Sequence, residues 1–290
     1  MHLSRLFDLT DTVTLEKGND DLVITHLTSD SRNVRKGSLF AAISGNLSDG
    51  HNYIDSAIKN GAVAILADGR DLVIPDGIAL LRADNVRGCF AIACSKFWPS
   101  RPGFTVAVTG TNGKTSTVEF LRQLWERTTW NAVSLGTLGA RSSTVLKVPS
   151  SGLTTPSSEY FFSALNSFSK QNISYLAIEA SSHGLEQQRM NGLNVQVAVF
   201  TNLSRDHLDY HSNMDAYFES KQKLFLDYLA DGGHAVINID NPYGKKLLEN
   251  VRKRPVSIVT FGEDSQADFC IESIKPTGYG LELNVLFKDK

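Results

Sequence analysis

The segment Gly110-Thr111-Asn112-Gly113-Lys114-Thr115-Ser116 puts two glycines, a lysine and three hydroxyl side chains in one short run. A tight glycine turn lets backbone N–H groups approach phosphate oxygens, and a following helix N-terminus adds a partial positive charge. Lys114 is then in register to reach the β- and γ-phosphates of a nucleotide, and the Thr115 hydroxyl to ligate Mg²⁺. A standard phosphate loop would place its first glycine at 108. Val108 stands there, and Gly110 lies three residues before Gly113, so the loop is a shortened variant. The competing structural reading is a glycine turn that binds nothing; Lys114 and Thr115 directly after a strand argue against it.

These residues need a strand before them and a helix after. Phe104–Thr109 is β-rich, and a helical pattern runs from Thr117 to Trp130. Apolar runs at 175–178, 195–200 and 235–238 repeat the theme with helical patterns between several of them, which predicts a mostly parallel sheet with helices on both faces. Upstream, strands are expected at 22–24, 38–43 and 63–66. A helix over Tyr53–Asn60 stops at Gly61, and another runs from Cys89 to Phe97. The fold class is therefore α/β. A small N-terminal α/β domain is expected over 1–98, and a second, mostly parallel-sheet domain of phosphate-loop type over 104–290. Trp98–Gly103, with two prolines and a glycine, is the linker. The alternation of Gly280–Phe287 predicts a half-buried strand.

Composition sets outer bounds. The chain has 290 residues, and 29 Lys+Arg against 31 Asp+Glu leave a net charge of −2. At about 150 residues per domain the length suggests two domains. Near-neutral charge gives no footprint for nucleic acid. Cys89, Cys94 and Cys270 have neither metal-ligand spacing nor the even count of a disulfide framework, and read as reduced thiols. No signal peptide opens the chain, and no stretch approaches the ~20 apolar residues of a membrane span. A cytoplasmic protein, monomeric by default, is expected.

The run 110–116 resembles the ATP-binding loop of the Mur ligase family. Glu179-Ala180-Ser181-Ser182-His183-Gly184-Leu185, Thr201-Asn202-Leu203-Ser204-Arg205-Asp206-His207-Leu208-Asp209-Tyr210-His211 and Thr28-Ser29-Asp30-Ser31-Arg32 extend the likeness from about 22 to 285. They narrow it to the type that adds the third peptide residue to UDP-N-acetylmuramoyl-L-alanyl-D-glutamate. The resemblance implies an ATP- and Mg²⁺-dependent ligase of peptidoglycan synthesis that works through an acyl phosphate. Its partners would be that UDP-linked dipeptide and a free amino acid, taken as meso-2,6-diaminopimelate. Three domains are implied: a uridine-binding domain, a central ATPase domain and a C-terminal amino-acid-binding domain. The likeness reaches only the first two, so the third is expected to be absent. The alternatives are a truncated relative that only binds the UDP-substrate and ATP, and another Mur-like ligase. The 181–185 run with Arg189 argues against the latter.

The resemblance also assigns roles. Gly110 to Ser116 would bind ATP. Thr115, Glu179, His207 and Lys221 would hold divalent cations, with Lys221 as a CO₂-derived carbamate. Lys114, Lys221, Glu179 and His207 form the implied catalytic set, and Asp206 is a positioning or capping residue. Leu153, Thr154, Thr155, Ser181, Gln187 and Arg189 match positions that hold the muramoyl-dipeptide; Leu153 replaces a polar Asn found in some members. Ser29, Ser31, Asn46, Leu47 and Ser48 match contacts to the uridine diphosphate. On the residues alone, Lys221 reads as a solvated helix lysine like Lys223, His207 as a structural histidine, and 45–50 as an ordinary loop.

Overall fold

A computed structural model describes residues 1–8, 12–45, 48–144, 146, 152–206 and 210–288. Contacts divide the chain into two compact units. The first holds Met1–Arg101 with Ser157–Ser167 and Gln187–Gly192; the second holds Pro102–Pro156, Phe168–Glu186 and Leu193–Lys290.

In the first unit the strands are β1 (Thr14–Lys17), β2 (His26–Thr28), β3 (Ser38–Ala41), β4 (Ala62–Ala67) and β5 (Ala79–Arg82). They lie in the order β1-β5-β4-β3-β2, parallel except for β1 against β5. The helices are α1 (Leu3–Leu6), α2 (Ile54–Lys59) and α3 (Val86–Phe97). Every residue of β3 is buried, as expected of a parallel strand covered on both faces. Phe40, Ile54, Ile65 and Leu80 share one core cluster. Gly61 ends α2 at φ +104°, where a Cβ would lie 2.8 Å from Lys36 Cα. The expected strand at 22–24 is displaced. Ile24 exchanges backbone bonds with Met1, Val23 makes only a bridge to His2, and the sheet begins at His26. The apolar run is claimed by the N-terminus before it can reach β3. α3 starts three residues before Cys89, because Asn85 caps it by accepting from Gly88 N–H.

The second unit is a nine-stranded sheet. Its strands are β6 (Phe104–Thr109), β7 (Ala132–Gly136), β8 (Gly139–Arg141), β9 (Tyr175–Glu179), β10 (Val195–Phe200), β11 (Leu229–Asn238), β12 (Ser257–Gly262), β13 (Phe269–Thr277) and β14 (Gly280–Phe287). The order is β14-β13-β12-β11-β10-β6-β9-β7-β8. Only the hairpins β7–β8 and β13–β14 are antiparallel. The helices are α4 (Lys114–Arg127), α5 (Ser158–Lys170), α6 (Ser182–Glu186), α7 (Met214–Lys223) and α8 (Pro242–Val251), with the end of α5 in this unit and its start in the first. β6 lies between β9 and β10, so the loops leaving its carboxyl end and theirs open on one crevice, where open α/β sheets place ligands.

Two expectations change here. α4 begins at Lys114 rather than Thr117, since Gly113 at φ +84° turns the chain straight into the helix. It closes before Trp130, where Thr129 at φ +67° sends its N–H back to Glu126 O. β14 has the expected bounds but is exposed along its whole length, not half-buried. It is an edge strand paired to β13 alone, and alternation buries a face only when another layer covers it.

Candidate nucleotide and acceptor site

The phosphate loop is held from behind by the loop that follows β10. Thr111 N–H donates to Asn202 O and Asn112 N–H to Asn202 Oδ1, both at 3.0 Å. Asn112 O accepts from Thr201 Oγ1 at 2.6 Å and from Asn202 Nδ2 at 3.2 Å. Gly110 runs at φ +146°, and a Cβ there would collide with Thr201 Oγ1. Only glycine lets the two loops approach this closely. The N–H groups of Thr111 and Asn112 are thus spent inside the protein. Those of Lys114, Thr115 and Ser116 open α4, and the first N–H groups of a helix have no intrahelical partner. Lys114 Nζ curls onto Gly110 O at 2.9 Å and Thr111 O at 2.8 Å. Burial lowers its pKa, against the opposing pull of Glu179 and Asp206.

The loop opens on a cavity of about 250 Å³ lined by 111–116, Thr137, Thr154, Glu179, Ser181, Ser182 and Lys221. Glu179 ends β9 and is 2 % exposed. Its Oε1 accepts from Thr115 Oγ1 at 3.0 Å and Thr137 N–H at 2.8 Å, and its Oε2 from Thr137 Oγ1 at 3.2 Å. Gly136 makes room, since a Cβ there would strike the carboxylate. A larger cavity of about 750 Å³ lies against the same sheet, but its walls are mainly apolar side chains such as Phe104, Leu121 and Trp125. Charge chemistry belongs to the smaller one.

Lys221 is 1 % exposed, although Lys223 on the same helix is partly exposed. Two residues turn a helix by about 200°, so the two lysines face opposite ways. Tyr217 and Phe218 bury their face of α7 completely, and Ser220 Oγ donates to Ser182 O at 2.8 Å. Lys221 Nζ donates to Gly110 O at 2.8 Å and lies 4.3 Å from the Tyr217 ring centre. Burial, then the charge of Lys114, drives its pKa well below the usual lysine value; Asp206 opposes. The solvated-lysine reading is excluded.

Among the described residues no cluster of three or more His, Cys, Asp or Glu could hold a metal alone. The Thr115 hydroxyl and Glu179 carboxylate are nonetheless adjacent hard oxygen donors beside the loop. That set suits Mg²⁺, which takes one or two protein oxygens and draws the rest from phosphate and water.

Thr155 is buried, and its Oγ1 donates to Glu179 O at 2.9 Å. Ser181 N–H donates to Thr155 Oγ1 at 3.0 Å, the two hydroxyls are also 3.0 Å apart, and Ser181 Oγ accepts from Gly184 N–H. Thr154 is half-buried and Leu153 is 46 % exposed. Ser29, Ser31, Ser48, Gln187 and Arg189 belong to the first unit. There Ser29 N–H and Oγ both donate to Glu159 Oε1, at 3.2 and 2.9 Å. Arg189 Nε and Nη2 donate to Gln187 Oε1 at 3.1 and 2.7 Å. Ser48 is exposed and its carbonyl accepts from Gly45 N–H. Asn46, Leu47 and His207 lie outside the described residues. Thr137, which lines the cavity, and Thr201 and Asn202, which hold the loop, were given no role from the sequence; Thr137 had only its place just past β7 as a signal, whereas Thr201 and Asn202 open the run at 201–211.

A family profile described as "Mur ligase middle domain" matches residues 108–290, and one described as "Mur ligase family, catalytic domain" matches 23–94. The chain belongs to the Mur ligase family. Among relatives in the family, a protein of Zymomonas mobilis named UDP-N-acetylmuramoyl-L-alanyl-D-glutamate–2,6-diaminopimelate ligase is 40 % identical over 269 residues, covering 89 % of this chain and 54 % of its own. The protein of the same name from Bradyrhizobium diazoefficiens is 37 % identical over 263 residues, 90 % of this chain and 53 % of its own. A solved structure of a ligase with that name superposes with a TM-score of 0.84 at 26 % identity, covering 99 % of this chain and 58 % of that one. The chain spans about half the length of the curated relatives it matches. No helix among the described residues is long and apolar enough to cross a membrane.

Proposed function

We propose that this chain carries the nucleotide and acceptor sites of an ATP-dependent ligase that joins 2,6-diaminopimelate to UDP-N-acetylmuramoyl-L-alanyl-D-glutamate. One observation carries the reading: Lys114, Lys221, Thr115 and Glu179 converge on a single polar cavity beside the phosphate loop. The names of the relatives supply the substrates. Residues 1–98 would hold the uridine diphosphate through Ser29, Ser31 and the turn at 46–48, and 104–290 would hold ATP. The reading takes the protein as a monomer and the reaction as cytoplasmic.

The reaction brings two anions together. An acceptor carboxylate oxygen attacks the γ-phosphorus and ADP leaves; the amine then attacks the acyl carbon, phosphate leaves and the amine gives up a proton. The N–H groups of 114–116 and the Lys114 ammonium would neutralise the β- and γ-phosphates. Mg²⁺, when bound by Thr115 and Glu179, and by His207 as the resemblance implies, supplies further charge neutralisation between phosphate oxygens. Thr154, Thr155 and Ser181 would place the acceptor. The depressed basicity of Lys221 favours a neutral amine, the form able to add CO₂ and lose a proton as a carbamate.

The alternative reading is a binder of both nucleotides that does not ligate. An assay with ATP, UDP-N-acetylmuramoyl-L-alanyl-D-glutamate and diaminopimelate separates the two. Phosphate release with tripeptide product supports the ligase. Binding of both nucleotides without product supports the binder, and binding of neither removes both.

A further inference from the structure

Thr137 stands in the exposed turn after β7 and is joined to two parts of the cavity at once. Its N–H fixes Glu179 Oε1 at 2.8 Å. Its hydroxyl lies 3.2 Å from Glu179 Oε2 and 3.0 Å from Thr154 Oγ1. A hydroxyl has one proton to donate, so it serves one of these oxygens at a time. In one arrangement Thr154 donates to Thr137 and Thr137 donates to Glu179, which occupies both carboxylate oxygens. In the other, Thr154 gives its proton elsewhere and Thr137 can donate to Thr154, which releases Glu179 Oε2 toward the cavity. A carboxylate arriving at Thr154 accepts a hydrogen bond from its hydroxyl and opens the second arrangement.

We propose that Thr137 is a positioning residue whose hydroxyl couples an acceptor carboxylate at Thr154 to the availability of Glu179 Oε2 for the cation of a metal–nucleotide complex. The inference rests on the proposed function and adds to it: the two substrates bind cooperatively through one reversible hydrogen bond. Linkage requires the effect to be mutual, so the nucleotide complex strengthens acceptor binding by the same factor. The neighbouring Thr155 hydroxyl donates to the Glu179 carbonyl and accepts from Ser181 N–H.

The test is calorimetric titration of the 290-residue protein with Mg·AMP-PNP, with and without saturating UDP-N-acetylmuramoyl-L-alanyl-D-glutamate. The acceptor should tighten nucleotide binding roughly fivefold, the scale of one hydrogen bond. Leaving out Mg²⁺ should abolish that ratio. Thr137→Val should bind both ligands with a ratio near one, and Thr137→Ser should restore the wild-type ratio. A wild-type ratio of one, or a wild-type ratio in Thr137→Val, overturns the coupling while leaving the proposed function standing. A wild-type protein that binds neither ligand overturns both.

Discussion

The surroundings of Asp49 in the first unit and the loop at 110–116 in the second are both framed by glycines, yet different forces hold them. Asp49 accepts from His51 N–H at 3.1 Å and lies 2.8 Å from His51 Nδ1, and Arg70 pairs with the same carboxylate. Arg70 and Asp49 are partly exposed, so this is a salt-screened surface network. The loop at 110–116 is instead gripped by backbone and hydroxyl bonds from Thr201 and Asn202 and sits over a buried lysine. A surface network adjusts to change, whereas a packed loop with two glycines at positive φ does not.

The largest test of that contrast is glycine replacement. Gly110→Ala should abolish nucleotide binding and lower stability by about 2 kcal/mol or more, from its positive φ and the collision with Thr201. Gly45→Ala, whose Cβ would meet Ser48 O at 3.0 Å, should leave nucleotide binding intact. Nucleotide titration with a denaturant melt checks both; equal effects would erase the comparison. Lys114→Ala should abolish nucleotide binding but leave binding of the UDP-substrate near wild type.

Lys221 gives a pH signature. Its folded pKa lies below the unfolded value of about 10.4, so between the two the unfolded chain binds more protons and stability rises with pH. Lys221→Met removes that contribution. Melts across the alkaline range should show wild type gaining on the variant, and parallel curves would count against a buried, weakly basic amine.

Asp49→Asn is the smallest expected effect. Arg70, then His51, holds this carboxyl well below the usual range. Its contribution is present above the ordinary carboxylate pKa and fades as pH falls toward the depressed folded value. Wild type and variant should therefore converge on acidification and in high salt, with nucleotide binding unchanged at neutral pH. A salt-independent difference would place the network in the core instead.

The strand and turn at 104–113 were readable because local rules govern them, a β-rich run and then glycines; the helix after them was readable as an element but was expected to start three residues late, at Thr117 instead of Lys114. The bounds of β6, β10 and β14 were readable for the same reason. The exposure of β14 was not, since its sequence shows an apolar side but not whether anything covers it. The strand at 22–24 was misplaced because pairing with Met1 is a choice of partner, not of propensity. Thr137 and Asn202 carry no periodic signal; their importance comes from the strand order, which sets β10 beside β6 and β7 beside β9. Burial of Lys221 likewise depends on what faces α7.

The loop at 110–116 is expected to grip a nucleoside triphosphate. A crystal structure of this protein with Mg·AMP-PNP tests it most directly. Phosphate oxygens should lie on the N–H groups of 114–116, with the Lys114 ammonium moved from the carbonyls of Gly110 and Thr111 onto the β- and γ-phosphates. Nucleotide bound elsewhere at saturation, with Lys114 still folded onto its own loop, would contradict it.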